Sequence, residues 1–179
     1  MHGIIFSEFK NYAESKFGGP AWGKLLVAAG MPGKIFLPTE TYPDKEIVAI
    51  VAAVSKIAGK DVPAILEGFG EYIVPTLLRV YKSFINTRWK ALDLLEKTEE
   101  AIHKVVRIKN RGATPPRLTC ARLSPDEVAI TYSSQRKMCG LAKGIIRGIA
   151  RHYGEKLKIS EFSCMHAGAS SCLILVRQA

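Results

Sequence analysis

Long apolar runs are missing from these 179 residues: no stretch of about 18 apolar residues without charge occurs, so nothing reads as a membrane span. Residues Met1 to Glu8 place a glutamate where a signal peptide needs its apolar stretch, so no secretory leader is expected. Cysteine is scarce. Four residues cannot staple a disulfide scaffold and suit a reducing, cytoplasmic setting. Acidic residues are outnumbered, 16 against 26 Lys and Arg, for a net charge of +10. The catalytic signatures are absent too: no Gly-rich phosphate loop, no nucleophile elbow and no His-Glu-x-x-His helix. No enzyme is expected. After Trp89 the only aromatics are Tyr132, Tyr153 and Phe162, too few to interleave with basic residues as a stacking surface for nucleic acid.

With 47% hydrophobic and 23% charged residues, the chain suits one compact domain that buries roughly 70% of its unfolded surface. Its charge is uneven: residues 91–179 hold 15 Lys and Arg against 8 Asp and Glu, and residues 1–90 hold 11 against 8. Basic residues gather at Lys104, Arg107, Lys109 and Arg111, and along Arg136, Lys137, Lys143, Arg147, Arg151, Lys156 and Lys158. This surface admits nucleic acid, an acidic protein or an anionic ligand as partner.

Helical spacing runs through the first part. It marks Ile5, Phe9 and Tyr12 before Gly18-Gly19, then a short helix from Pro20 to Gly30. Asp44 reads as the cap of a third helix ending at Gly59, and Asp61 as the cap of a fourth, which Pro75 should kink or interrupt. A long helix is expected from about Thr87 to Ile108. At Gly112-Ala113-Thr114-Pro115-Pro116 the texture changes, because two adjacent prolines stop a helix. Strands follow at Arg117–Arg122 and Glu127–Tyr132, a helix at Met138–Tyr153, and strands at Leu157–Cys164 and Ser171–Val176. The expected fold class is α+β, an N-terminal helical subdomain packed on a C-terminal four-stranded antiparallel sheet with its own helix.

Three groups of residues carry chemistry. His103 falls on the flank of the long helix's apolar stripe, beside Val106, as either a half-buried surface histidine or a neutral imidazole ligand to a metal. Tyr132, Ser134 and Arg136 alternate at a strand end; an extended backbone would aim two hydroxyls and a guanidinium at one point, suited to carboxylates or phosphate. The other reading of that group is a solvated strand end that caps the next helix. Cys139, Cys164 and Cys172 come from a helix start and two strand ends, a plausible zinc set that needs a fourth ligand from Glu161 or His166. Reduced core thiols or a redox-active cluster are the alternatives, and Cys120 reads as a core residue.

Met1-His2-Gly3-Ile4-Ile5, Phe69-Gly70-Glu71-Tyr72, His103 in a long helix, Gly112 to Leu118 and Tyr132-x-Ser134-x-Arg136 occur in this order. Together they closely resemble the haem nitric oxide/oxygen-binding (H-NOX) family, the bacterial relatives of the sensor domain of soluble guanylate cyclase, over essentially the whole chain. The resemblance implies a single domain over 1–179, with a distal helical subdomain over about 1–60 and haem-cradling helices and sheet over 61–179. It implies haem b between these parts, His103 as the axial iron ligand, and Tyr132, Ser134 and Arg136 on the propionates. Pro115 matches the proline that presses on and distorts the porphyrin, and Ile5 packs against it. By the same resemblance Ile5, Phe9, Ile73, Leu77, Leu141 and Ile145 form the distal wall, with Leu141 where oxygen-binding relatives present a tyrosine. Nitric oxide and carbon monoxide are the expected ligands, with little oxygen binding. With no kinase or cyclase segment attached, a histidine kinase or a cyclic-di-GMP enzyme is the expected partner, with no nucleic acid and no membrane. Some bacterial members similarly have a three-cysteine, one-histidine zinc site, whose histidine falls at Glu161 here. A zinc/cysteine redox sensor and a basic nucleic-acid-binding module are the competing functions.

Overall fold

The computed structural model describes residues 1–109 and 112–179, so Arg111 of the first basic group lies outside the described residues. Helices α1 (Gly3–Phe17), α2 (Ala21–Ala28), α3 (Asp44–Ala58) and α4 (Val62–Val80) come first. Then α5 (Ala91–Thr98), a π-helical turn (Glu99–His103) and α6 (Lys104–Lys109) run end to end. Strands β1 (Arg117–Ser124) and β2 (Glu127–Ser133), helix α7 (Cys139–Tyr153), and strands β3 (Leu157–Ser163) and β4 (Cys172–Gln178) complete the chain. The four strands form one antiparallel sheet in the order β1-β2-β4-β3. The expected α+β class and strand count hold.

Local chemistry explains most boundaries. The Asp61 carboxylate accepts from the Ala64 N–H at 2.8 Å and starts α4, while Gly59 and Gly154 end α3 and α7 in the left-handed conformation, at φ 61° and 66°. One expectation fails, and another holds at most in its milder form. Asp44 does not cap α3: Pro43 holds the cap position, and the Asp44 carboxylate instead takes the Met1 ammonium at 2.8 Å and Arg136 Nη1 at 3.0 Å. Pro75 does not interrupt α4, which continues to Val80. Pro75 lies on the exposed side of that helix, whose other face is packed along α7. There Gly140, Gly144 and Gly148 of α7 bring the two backbones into close contact.

The molecule has two apolar cores. Phe6, Phe9, Ile50, Phe69 and Ile73 belong to the helical one; Leu94, Val128, Ile146, Ile174 and Val176 belong to the sheet-side one. Helix α4 gives Ile65, Leu66, Phe69 and Ile73 to the first and Val74 to the second, so it contributes to both. Ile145 of α7 packs against both.

Several of the basic side chains are paired within the chain. Lys143 pairs with Glu67 and Glu161, Arg147 with Glu67, Arg151 with Glu71, Arg122 with Asp93 and Glu96, and Arg177 with Glu127. Each such partner neutralises charge that the sequence alone would assign to a docking face.

Candidate functional site: a cavity between the two cores

Between the cores lies a largely apolar cavity, open to solvent on one side. Helix α4 lines it with Val74, Leu77 and Leu78; α7 with Leu141, Ala142 and Ile145; α5 with Leu94 and Leu95; the sheet with Leu118, Ile130 and Ile174. Polar groups enter at a few points, among them His103, Thr98, Tyr81, Thr114, Tyr132 and Arg136. An apolar slot with a few placed polar groups is the usual build of a cofactor pocket.

His103 closes the π-helical turn, and its side chain is 16% exposed. The Nδ1 atom lies 3.2 Å from Glu99 Oε2, at the first residue of the same turn. Glu99 Oε2 also accepts from the Leu118 N–H at 3.1 Å, and Oε1 accepts from Arg107 at 2.7 Å. Burial pushes the His103 imidazole below its ordinary value, and the opposing pull of Glu99 does not restore it. Burial also works against the Glu99 charge, yet Arg107, the Leu118 N–H and His103 outweigh it and hold that carboxyl below the ordinary range. A neutral imidazole with Nδ1 engaged leaves Nε2 for a metal.

Tyr132 and Arg136 both line the cavity, though not by strand alternation, and Ser134 between them does not line it. β2 ends at Ser133, Gln135 and Arg136 form a turn, and Lys137 adopts φ 52°, so the extended backbone expected through Arg136 is replaced by a reversal. Ser134 Oγ accepts from the Arg136 N–H at 3.3 Å. Burial pushes the Tyr132 phenol up, so it stays a hydroxyl. Arg136 Nη1 donates to Thr114 Oγ1 at 3.1 Å, and Nη2 donates to the Thr114 carbonyl. The guanidinium thus ties the loop holding Pro115 to Asp44 of α3, and an anion arriving here shares it with them.

Of the expected distal residues, Ile5, Leu77, Leu141 and Ile145 line the cavity. Phe9 and Ile73 do not: both are 0% exposed in the helical core behind that wall, where the Phe9 and Phe69 rings meet at 4.8 Å. Pro115 lines the cavity from the loop before β1. The sequence reading missed Glu99, which its i, i+4 spacing from His103 could have flagged, and Ile4 and Tyr81, which carry no local signal.

At the start of α7, Cys139 Sγ lies 3.7 Å and Cys172 Sγ 3.8 Å from Cys164 Sγ. Glu161 joins them; one ligand atom from each of the four residues lies within 4.8 Å of the others. His166 does not join. Its Nε2 lies 2.7 Å from the Lys137 carbonyl oxygen, so of the two expected fourth ligands the fold brings in Glu161. Burial and the neighbouring thiols push Cys139 up to about 12. Cys120 stands apart as a half-buried thiol, pushed by burial to about 11.

Among the described residues no helix is long and apolar enough to cross a membrane. Soluble guanylate cyclase 89Da of Drosophila melanogaster is 23% identical over 164 residues, 88% of this chain, and the chain spans only 24% of that protein's length. An H-NOX protein from S. oneidensis in the Fe(II)NO ligation state superposes with a TM-score of 0.93 at 24% identity, covering 100% of this chain and 99% of that one. A mutant H-NOX of T. tengcongensis gives 0.87 at 23% identity, covering 99% and 97%. These structures share the fold. The Haem-NO-binding family matches residues 2–161, so the chain belongs to that family of haem-binding gas-sensor domains, which are not themselves catalytic.

Proposed function

We propose that this protein is a cytoplasmic nitric oxide sensor that holds haem b in the cavity, with His103 as axial ligand and Tyr132, Ser134 and Arg136 on the propionates. The observation that carries the reading is the cavity itself: an apolar slot with a buried neutral imidazole on one wall and a hydroxyl and guanidinium cluster at its rim. These residues fit the group, since a flat apolar ring with two carboxylates and a metal needs those three features.

Haem bound there supplies a ferrous iron that takes a diatomic gas and whose bond to histidine nitric oxide weakens. The chain does the rest. Ile5, Leu77, Leu141 and Ile145 surround the gas with apolar side chains, which disfavours oxygen because it gains most from a hydrogen-bond donor. Tyr81 also lines the cavity, but it follows α4 and shares a neighbouring pocket with Val106 and Phe84 rather than standing on the α7 wall. His103, at the end of the π-helical turn, would hold the iron, and Pro115 would face the ring from its loop. Arg136 links that loop, through Thr114, to Asp44 on the helical part, so a displacement of the loop would be felt there. A histidine kinase or a cyclic-di-GMP enzyme reads the shift, and carbon monoxide is a second ligand. Absorption spectra of the purified protein as isolated, reduced and exposed to nitric oxide test this. The expected protein is red, loses its histidine–iron bond on adding nitric oxide and loses haem in His103→Gly; a histidine bond that persists, or haem retained unchanged in the variant, overturns the reading.

The thiol cluster supports a second site. Cys139, Cys164, Cys172 and Glu161 offer zinc a four-ligand set, with Lys143 Nζ 3.2 Å from Glu161 to offset its negative charge. Metal release on thiol oxidation would make it redox-sensitive. Metal analysis after purification under reducing conditions should find about one zinc per chain by this ligand count; less than half an equivalent counts against it.

A further inference from the structure

Glu99 belongs to none of the motifs that carry the proposed function, yet its carboxylate is among the most constrained groups near the cavity. Oε2 meets both His103 Nδ1 and the Leu118 N–H, at 3.2 and 3.1 Å, while Oε1 is held by Arg107 at 2.7 Å. Three partners on three elements leave it little freedom to turn. The π-helical turn helps: the Lys104 N–H bonds back to the Glu99 carbonyl, so Glu99 and His103 bracket a widened turn, a distortion often found at functional sites.

We infer that Glu99 is a positioning residue for His103: it fixes the ring with Nδ1 engaged and sets, in balance with Arg107, how strongly Nε2 holds a metal. The inference rests on the reading of His103 as the iron ligand. A carboxylate accepting from Nδ1–H fixes the tautomer and makes the opposite nitrogen a more basic ligand. Arg107 works in the other direction, because a guanidinium on the same carboxylate draws its charge away from the ring. Arg107 also donates to the Pro116 carbonyl at 3.4 Å, so this balance is tied to the loop that lines the cavity. Glu99 therefore strengthens the bond that nitric oxide must break, and Arg107 weakens it.

The test is the iron–histidine stretching band in resonance Raman spectra of the ferrous, ligand-free haem protein. Glu99→Gln should move the band to lower frequency and weaken haem binding by about 10–100-fold, the usual cost of losing such a partner. Arg107→Gln, which leaves Glu99 in place, should move it to higher frequency, and the double variant should follow Glu99→Gln. A general loosening of the fold would not move the single variants in opposite directions. A band that is unmoved or moves to lower frequency in Arg107→Gln overturns the inference even if Glu99→Gln does not fold. His103→Gly separates the two readings. If the band is absent from the wild type or survives in His103→Gly, the ligand assignment fails and this inference with it; if the band depends on His103 but ignores Glu99 and Arg107, only this inference fails.

Discussion

One methyl group at Gly144 should loosen the seam between α4 and α7. Helix interiors favour alanine over glycine by about 1 kcal/mol, so propensity alone predicts that Gly144→Ala stabilises the protein. Contact geometry predicts the reverse. A Cβ at residue 144 would sit 2.1 Å from the Glu67 carbonyl oxygen and 2.9 Å from its Cα, backbone atoms that cannot rotate away. Restoring ordinary contact requires the helices to part by roughly 1 Å, a gap that forfeits a quarter to a half of the dispersion energy for each atom pair it opens. Overpacking of this kind costs about 1–3 kcal/mol, which for a chain of this size lowers Tm by roughly 2–12 °C. Gly148→Ala meets the Val74 Cγ2 at 2.5 Å but approaches backbone only to 3.0 Å, at the Glu71 carbonyl oxygen, and should cost less. Gly23→Ala on the exposed face of α2 has nothing within 4 Å and should gain up to about 1 kcal/mol. Thermal unfolding followed by circular dichroism ranks the three. If Gly144→Ala matches or exceeds Gly23→Ala, the close approach of α4 and α7 is not limiting and the reasoning fails.

That seam also shows where the sequence stops being informative. Breaks set by local chemistry were legible: the Pro115-Pro116 pair ends the helical part, Asp61 and Gly59 bound their helices, and all four strands fall within two residues of their expected positions. Features that depend on what lies opposite were not. Helical spacing shows that Phe9 and Ile73 are buried, but a period of 3.6 residues does not distinguish a neighbouring core from a cavity wall, and both belong to the core. Arg147 and Arg151 read as free surface charge because their partners, Glu67 and Glu71, lie 80 residues earlier. The π-helical turn at His103 has no compositional mark, since Glu-Glu-Ala-Ile-His suits an ordinary helix equally well. Tyr132, Ser134 and Arg136 were found by spacing, but a turn rather than a strand brings Arg136 to the cavity beside Tyr132.

Two further outcomes follow from the cavity wall and its rim. Leu141→Tyr places a phenol on the α7 wall, so oxygen titration of the ferrous haem protein should reveal binding that the wild type lacks; an unchanged response would mean that the donor does not control selectivity here. Asp44 should make stability depend on acid. Its burial raises the carboxyl's pKa, but the hydrogen bonds and charges of the Met1 ammonium and Arg136 outweigh that and hold it below the ordinary 3.8. Because the folded value is the lower one, the unfolded chain takes up the proton first. The contribution is complete well above pH 3.8 and is lost as pH falls through the folded value. In urea midpoints measured from pH 6 to about pH 3, Asp44→Asn should therefore lower stability at the neutral end and flatten the acid limb. A wild-type and variant pair whose curves stay parallel would show that Asp44 forms no link between α3 and the Arg136 turn.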